Sequence, residues 1–527
     1  MRDFEAPGRS PVMALNGMTA TSHPLASQVA VALLQAGGNA VDAAIGAAMV
    51  QNIAEPQMCG LGGDAFILLK PAGSEEVLAL NGSGRAPAGA DAAALRAAGH
   101  VKVPVHGIHA VTMPGGVDAL CRLHEDHGRL PLDQILAPAI RLAEEGIPVG
   151  PRTAFDWAED IKVLQGDALK FYALNGQAPR AGQIFRAPGL AEVMRRIARE
   201  GRAGFYEGEV AEDMIASLQA LGGSHSQADL AATCADWHQP VSGSYQGRDL
   251  IEHPPNGQGA TAILLLKILS HFDLAALDPA GAERAHLEAE AAKLAYDARN
   301  RFIADPGHMD PARLQSFLGD ETAARLAALI DPKRAMADPV ALSEAVHRDT
   351  ICLSVVDRDR MAVSLIYSIF WGFGSGLASQ KFGLNFQNRG AGFTLTAGHP
   401  NEMGPGKRPM HTIIPGMLAG GGRITMPFGV MGGAYQPTGH ARLISNLSDY
   451  GMELQQAIDA PRLFAGPEGL EVERGYSEAV KAELAAKGHR VIRPEQPLGG
   501  AQAVWIGSDG VLTGASDPRK DGCALGW

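Results

Sequence analysis

The pattern of apolar and polar positions divides the chain into two contrasting stretches that meet near residue 350. In the first, apolar residues recur at helical spacing. SHPLASQVAVALLQAGG places Leu25, Val29, Ala32, Leu33 and Ala36 on one stripe, with Ser22 and Pro24 as a helix start and Gly37-Gly38 as its stop. Residues 40–50 are almost wholly Ala, Val, Ile and Met after Asp42, which predicts a helix buried on every side. CGLGGDAFILLK then predicts a glycine turn and an apolar strand over 65–69. Amphipathic helices are predicted over 130–145 and 187–199, and the longest helical pattern covers 284–302. Residues 305–349, with several prolines and mixed charge, read as a helical and then loose connector.

The pattern changes at Thr350. ICLSVVD and MAVSLIY are β-branched runs separated by the turn DRDR, which is a hairpin signature. FGLNF (382–386), RITMPFGV (423–430) and AVWIG (503–507) extend the strand content, with helices predicted over 440–451 and 477–488. The expected organisation is therefore a helix-rich unit, 1–349, and a strand-rich unit, 350–527.

Composition narrows the function. The chain has 527 residues, 45 Lys+Arg against 57 Asp+Glu, and a net charge of −12. That balance argues against nucleic acid as the main partner, since phosphate binding needs a cationic surface. The 64 glycines and 33 prolines imply many tight turns. Cys59, Cys121, Cys234, Cys352 and Cys523 are odd in number and far apart, so neither a disulfide framework nor a zinc pair is indicated. No export signal and no long apolar run is evident, so the expectation is a cytoplasmic protein that does not enter a membrane. Gly60, Gly62 and Gly63 precede a strand rather than opening a helix, against a phosphate loop. Cys121, His124 and His127 have metal-like spacing but no fourth ligand in view, and no metal or organic cofactor is expected.

Asp349-Thr350, at the break in pattern, carries candidate chemistry. A threonine hydroxyl is a poor nucleophile unless a base sits beside it, and a chain-terminal threonine brings its own α-amine. That amine has an ordinary pKa of about 7.7–8.0, close to working pH. The chain would have to cut itself before Thr350. Gly432-Gly433 in GVMGGAYQPTGH can offer two backbone N–H groups as an oxyanion hole. Ser364, Ile366 and Ser368 share one face of the second hairpin strand, from which Ser368 can reach back to the first.

Several blocks then resemble the γ-glutamyltranspeptidase family of N-terminal-nucleophile hydrolases along nearly the whole chain. They are TSHPLASQVAVALLQAGGNAVDAAI, GLGGDAF, TICLSVVDRDRMAVSLIYSIFWGFGSG, GPGKRPMHTIIP, GVMGGAYQ and GASDPRKDG. The resemblance implies an α+β fold, a four-layer αββα sandwich, self-cleaved between Asp349 and Thr350 into a large and a small subunit. It implies Thr350 as nucleophile, Ser368 in place of the family's second threonine, and Gly432 and Gly433 as the oxyanion hole. The two subunits would be each other's partners, with a dimer of such heterodimers as an option.

Departures from the family bear on substrate. The family's carboxylate-binding Arg block reads SGRAP here, with Ser83 at the Arg position and Arg85 two residues on. Phe370 replaces an Asn, and the block QNRGAGF puts Arg389 and Gly392 where the family has Gln and Asp. His411 and Thr412 replace paired serines. That Asp receives the substrate ammonium, so Gly392 removes the ammonium's partner while Arg389 adds a cation suited to a carboxylate. The expected substrate is a small carboxylate-bearing amide without an α-ammonium, and the sequence is similar to the oxamate amidohydrolase branch. Arg389, Arg85, Phe370, Trp371, His411 and Thr412 are the expected substrate contacts, with Phe370 and Trp371 favouring a small acyl group. Open alternatives are γ-glutamyl transfer or glutathione hydrolysis, a glutaryl or cephalosporin acylase, and an unprocessed binding relative.

Overall fold

The computed structural model describes residues 5, 8–336 and 350–527. Two seven-stranded sheets form its centre. In the first, the strand order is Val12–Ala14, Leu512–Ser516, Gly500–Ile506, Arg423–Met431, Gly416–Gly420, Arg248–Glu252 and Val241–Tyr245. In the second it is Cys523–Gly526, Met18–Thr21, Ile351–Val356, Ala362–Ser368, Asp64–Lys70, Leu78–Gly82 and Asp236–His238. All neighbours within these two sheets are antiparallel.

The central strands, such as Asp64–Lys70, Ile351–Val356 and Ala362–Ser368, are buried on both faces, which explains their near-continuous apolar character. Phe66, Cys352, Ile366, Ile413 and Met431 form one core between the sheets, and Ala20, Leu68, Met417 and Val504 belong to another. Two serines cross the gap: Ser354 Oγ donates to Gln502 O and Ser364 Oγ to Phe428 O. Each such buried bond is worth about 1 kcal/mol net. On the outer face of the second sheet, Ile351, Leu353, Val355, Val363 and Leu365 pack under helices Pro24–Gln35, Ala40–Ala54 and Gly116–His127. On the outer face of the first, Leu418, Met426, Phe428 and Ala503 pack under Gly259–Leu269, Ala282–Phe302 and Gln436–Ser448. The layers are therefore helix, sheet, sheet, helix.

Every residue of Ala40–Ala54 is buried, and an Asn39/Asp42 capping box starts it. The first helix differs in its cap. His23, not Ser22, accepts from Leu25 N, while Ser22 Oγ donates to Glu55 Oε2. FGLNF forms no strand: Asn385 and Phe386 make only isolated bridges to Ala378 and Gly62. The helix-rich and strand-rich stretches are not separate bodies. Each sheet takes strands from both sides of Thr350, and the Ile351–Val356 strand lies between Met18–Thr21 and Ala362–Ser368. The connector contains helices Pro311–Phe317 and Asp320–Ala327. Asp349 lies outside the described residues. No described helix is long and apolar enough to cross a membrane.

Candidate active site

Thr350 stands immediately before a central strand of the second sheet. The pairing Ile351↔Tyr367 puts it beside Ser368, whose own strand pairs Ser368 with Asp64. Thr350, Ser368 and Asp64 thus form a row across three neighbouring strands, and all three are buried. Thr350 Oγ1 and Ser368 Oγ are 3.3 Å apart. Ser368 Oγ accepts from Phe370 N at 2.9 Å and from Arg389 Nη2 at 3.3 Å. Either hydroxyl can donate in the Thr350–Ser368 contact.

Arg389 connects this row to the rest of the site. Its Nη1 donates to Thr412 Oγ1 at 2.9 Å, and its guanidinium lies 4.0 Å from the centre of the Phe370 ring. Phe370 holds a left-handed φ of 84°, a costly conformation for a bulky side chain. The neighbouring backbone is held by Trp371 N donating to Asn388 Oδ1 at 3.0 Å. Gln258 Nε2 then bridges Thr412 O and Gly433 O at 2.7 and 2.9 Å. A continuous polar network therefore runs from Thr350 through Ser368, Arg389, Thr412 and Gln258 to Gly433.

Gly432 and Gly433 lie between the strand Arg423–Met431 and the helix Gln436–Ser448. Their φ values of 120° and 53° are positive, and a Cβ on Gly432 would sit 3.0 Å from Gly499 Cα. Glycine is required here by both conformation and space. Such a turn can aim adjacent N–H groups at one point.

His411 is fully buried and turned toward Asp64. Its Nε2 lies 3.1 Å from Asp64 Oδ2, and its ring is tilted against Phe66. Burial, reinforced by the charges of Arg389 and Arg408, holds its pKa well below the usual imidazole range, so the ring is neutral. Asp64 was absent from the sequence-derived site. Its Oδ1 accepts from Gly84 N, Gly115 N and Gln387 Nε2 at 2.9, 3.2 and 2.9 Å. Burial pushes its pKa up to about 6, opposed by Arg389, Gln387 and the two amides. An acid between a glycine turn and an apolar strand, in GLGGDAF, was the available signal.

Arg85 is placed elsewhere. Its Nη1 donates to Gly406 O at 3.0 Å and lies 3.5 Å from Asp305 Oδ2, with the side chain 40% exposed. A cavity of about 420 Å³ opens beside the network, and its walls include Phe370, Trp371, Gly392, Phe393, Thr412 and Ala434. Arg389 is fully buried behind the Phe370 and Thr412 part of that wall.

One group of possible metal ligands converges among the described residues: His286, Glu290 and His489. Its polar atoms already have partners. His286 Nδ1 and His489 Nε2 are 2.7 Å apart, His286 Nε2 meets Asp331 O, and Glu290 accepts from Lys293 Nζ and Met336 N. In the other cluster of interest, His124 Nε2 is 2.8 Å from Leu130 O.

Two antiparallel sheets between helical layers, with a threonine at the head of a central strand, define the N-terminal-nucleophile hydrolase class. The pattern of the gamma-glutamyltranspeptidase family matches residues 26–527, and the chain belongs to that family. It is 35% identical to the glutathione hydrolase-like YwrD proenzyme of Bacillus subtilis, over 98% of this chain and 99% of that one. It is also 35% identical to the oxamate amidohydrolase proenzyme of Klebsiella pneumoniae, over 97% of this chain and 98% of that one. The crystal structure of a cephalosporin acylase from Bacillus halodurans superposes with a TM-score of 0.92 at 36% identity, covering 100% of this chain and 99% of that one.

Proposed function

We propose that the protein is a self-cleaving amidohydrolase with Thr350 as its nucleophile. In the precursor, Thr350 Oγ1 attacks the Asp349 carbonyl carbon. The peptide C–N bond breaks, the Thr350 nitrogen takes a proton, and water hydrolyses the resulting ester to free the 349 carboxyl and the Thr350 amine. In turnover, that amine takes the hydroxyl proton as Oγ1 attacks the substrate amide, and the Gly432 and Gly433 N–H groups receive the oxyanion. Proton return to the leaving nitrogen expels ammonia or an amine, and water deacylates the threonyl ester. The observation that carries this reading is Thr350 Oγ1 at 3.3 Å from Ser368 Oγ, at the head of a strand tied by hydrogen bonds to Gly433. The proenzyme names of both curated relatives support the cleavage step.

For substrate, we infer a carboxylate-bearing amide without an α-ammonium, oxamate-like at its reacting end. Arg389 supplies the cation next to Thr412, and Gly392 offers no anion to an ammonium. The oxamate amidohydrolase relative is consistent with that choice. A second reading follows from the cavity. Its volume of about 420 Å³ falls in the range of roughly 300–1,000 Å³ that suits drug-sized ligands, so larger acyl or amine groups fit beside Phe370 and Trp371. The cephalosporin acylase neighbour agrees with this reading. An ammonia- and amine-release screen over oxamate, glutaryl amides and a γ-glutamyl anilide tests both. Preference for the carboxylate amides is expected, and strong turnover of the γ-glutamyl anilide alone overturns the reading of Arg389 and Gly392. The protein resides in the cytoplasm as two paired processed subunits, with a dimer of such heterodimers as the higher assembly.

A further inference from the structure

Both ends of the Arg389–Thr412 hydrogen bond hang from one carboxylate. Gln387, two residues before Arg389, donates to Asp64 Oδ1, and His411, immediately before Thr412, meets Asp64 Oδ2. Gly84 N and Gly115 N anchor the same carboxylate from two further segments. On the sheet, Asp64 is directly opposite Ser368, whose Oγ accepts from Arg389 and lies beside Thr350 Oγ1. The four donors leave Asp64 little freedom, so the carboxylate acts as a fixed reference point for the wall that touches Ser368.

We propose that Asp64 is a positioning residue for the Thr350 chemistry: its buried carboxylate fixes Gln387 and His411, and so holds the Arg389 guanidinium against Ser368 beside the nucleophile. The proposal rests on the reading of Thr350 as the self-cleaving nucleophile. The charge on Asp64 matters as well as its shape. His411 is neutral, with Nδ1 3.4 Å from Ile413 N as its acceptor, so Nε2 carries the hydrogen and donates to Asp64. With His411 neutral, the Asp64 carboxylate is a counter-charge that acts on buried Arg389. Asparagine has the same size, but it removes that charge. The donors on Oδ1 demand its oxygen there, so its N–H₂ must face the His411 N–H, which forces a change of tautomer or orientation.

The groups facing Asp64 define the pH behaviour. They are Arg389, neutral His411, Gln387, the Gly84 and Gly115 amides and the Tyr367 phenol, with Arg408 acting on His411. Burial raises Tyr367 and lowers His411 far from neutrality. Asp64, raised by burial to about 6, is the member of this set that changes charge near working pH. The anchored anion is present above that pH and lost below it.

Self-cleavage gives a readout that needs no substrate. Freshly translated full-length chain is followed by denaturing electrophoresis from pH 5 to 8 for wild type, Asp64→Asn, Gln387→Met and Thr350→Ala, with a thermal melt of each. Wild type is expected to slow as pH falls through about 6. Asp64→Asn is expected to split at least tenfold more slowly at pH 7.5 and to lose that limb, and Gln387→Met to slow cleavage by a smaller factor. Splitting of Asp64→Asn within twofold of wild type, with the same limb, overturns the proposal. If Asp64→Asn shows no cooperative melt, Gln387→Met decides, and wild-type speed in that variant overturns the proposal. Cleavage in Thr350→Ala removes the nucleophile assignment instead, while the Asp64→Asn to wild-type rate ratio still reads the role of Asp64.

Discussion

The two halves of the site are built differently. The Thr350–Ser368–Asp64 row sits on paired strands, where register fixes each residue and burial is complete. The cavity wall is made largely of loops and short turns: Phe370 and Trp371 follow a strand end, Gly392 closes the 3-10 turn Arg389–Gly392, and Phe393 and Thr412 lie in irregular chain. Strand register holds reacting atoms to within tenths of an ångström, whereas loops can change side chains without disturbing a sheet. On the proposed mechanism the chemistry falls to the sheet and the choice of substrate to the loops, with Arg389 joining the two through Ser368 and Thr412.

Thr350→Ala separates the halves most sharply. It is expected to abolish both self-cleavage and turnover while leaving the melting temperature within a few degrees, because a buried hydroxyl hydrogen bond such as that to Ser368 is worth about 1 kcal/mol. Electrophoresis and ammonia release measure the two losses. Arg389→Gln acts at the junction. Charge-assisted bonds are worth about 1.5–3 kcal/mol, so catalytic efficiency toward carboxylate amides should fall by roughly 10- to 150-fold. Steady-state kinetics against a matched neutral amide check this, and an equal loss on both would place Arg389 wholly on the chemical side. Val103→Ala, on the far cavity wall, should shift preference among acyl chain lengths by a few fold and leave the rate of self-cleavage unchanged. A slowed self-cleavage would break the division between sheet and loops.

A further effect belongs to the layer behind the sheet and touches stability rather than catalysis. Burial raises Glu55, at the end of Ala40–Ala54, to about 7, although Ser22 and Gln51 donate to it. A carboxyl raised in the folded state binds its proton more tightly there than when unfolded. Its contribution to stability is therefore complete below about 4.5 and is lost as pH rises toward about 7. Glu55→Gln should flatten that fall, recovering at most about 3 kcal/mol at pH 8. Thermal melts of both proteins between pH 5 and 8 measure it.

The hairpin after Thr350 and the helices at 24–54 were legible because long apolar periods and clear stops override local ambiguity. The strands before Thr350 were mostly hidden. Val12–Ala14, Asp236–His238 and Val241–Tyr245 are too short to show a period, and they pair with distant segments. Hence each sheet of the expected sandwich draws strands from both sides of Thr350, which the short early strands did not reveal. FGLNF has strand composition but serves as a loop, bridged at Asn385 and Phe386. Within the site, Thr350, Ser368 and Thr412 could be read as one neighbourhood from motifs. Arg85 and Asp64 could not be sorted by sequence, because only the fold turns Arg85 toward Asp305 and brings Asp64 opposite Ser368.

Intact-mass spectrometry of purified, active protein, before and after quenching during turnover of a slow amide, tests the central assignment most directly. Two polypeptides meeting at 349/350 are expected, with the acyl group of the substrate carried on the fragment that begins at Thr350. A single uncut chain in a fully active sample, or an adduct mapped to another residue, would contradict the assignment.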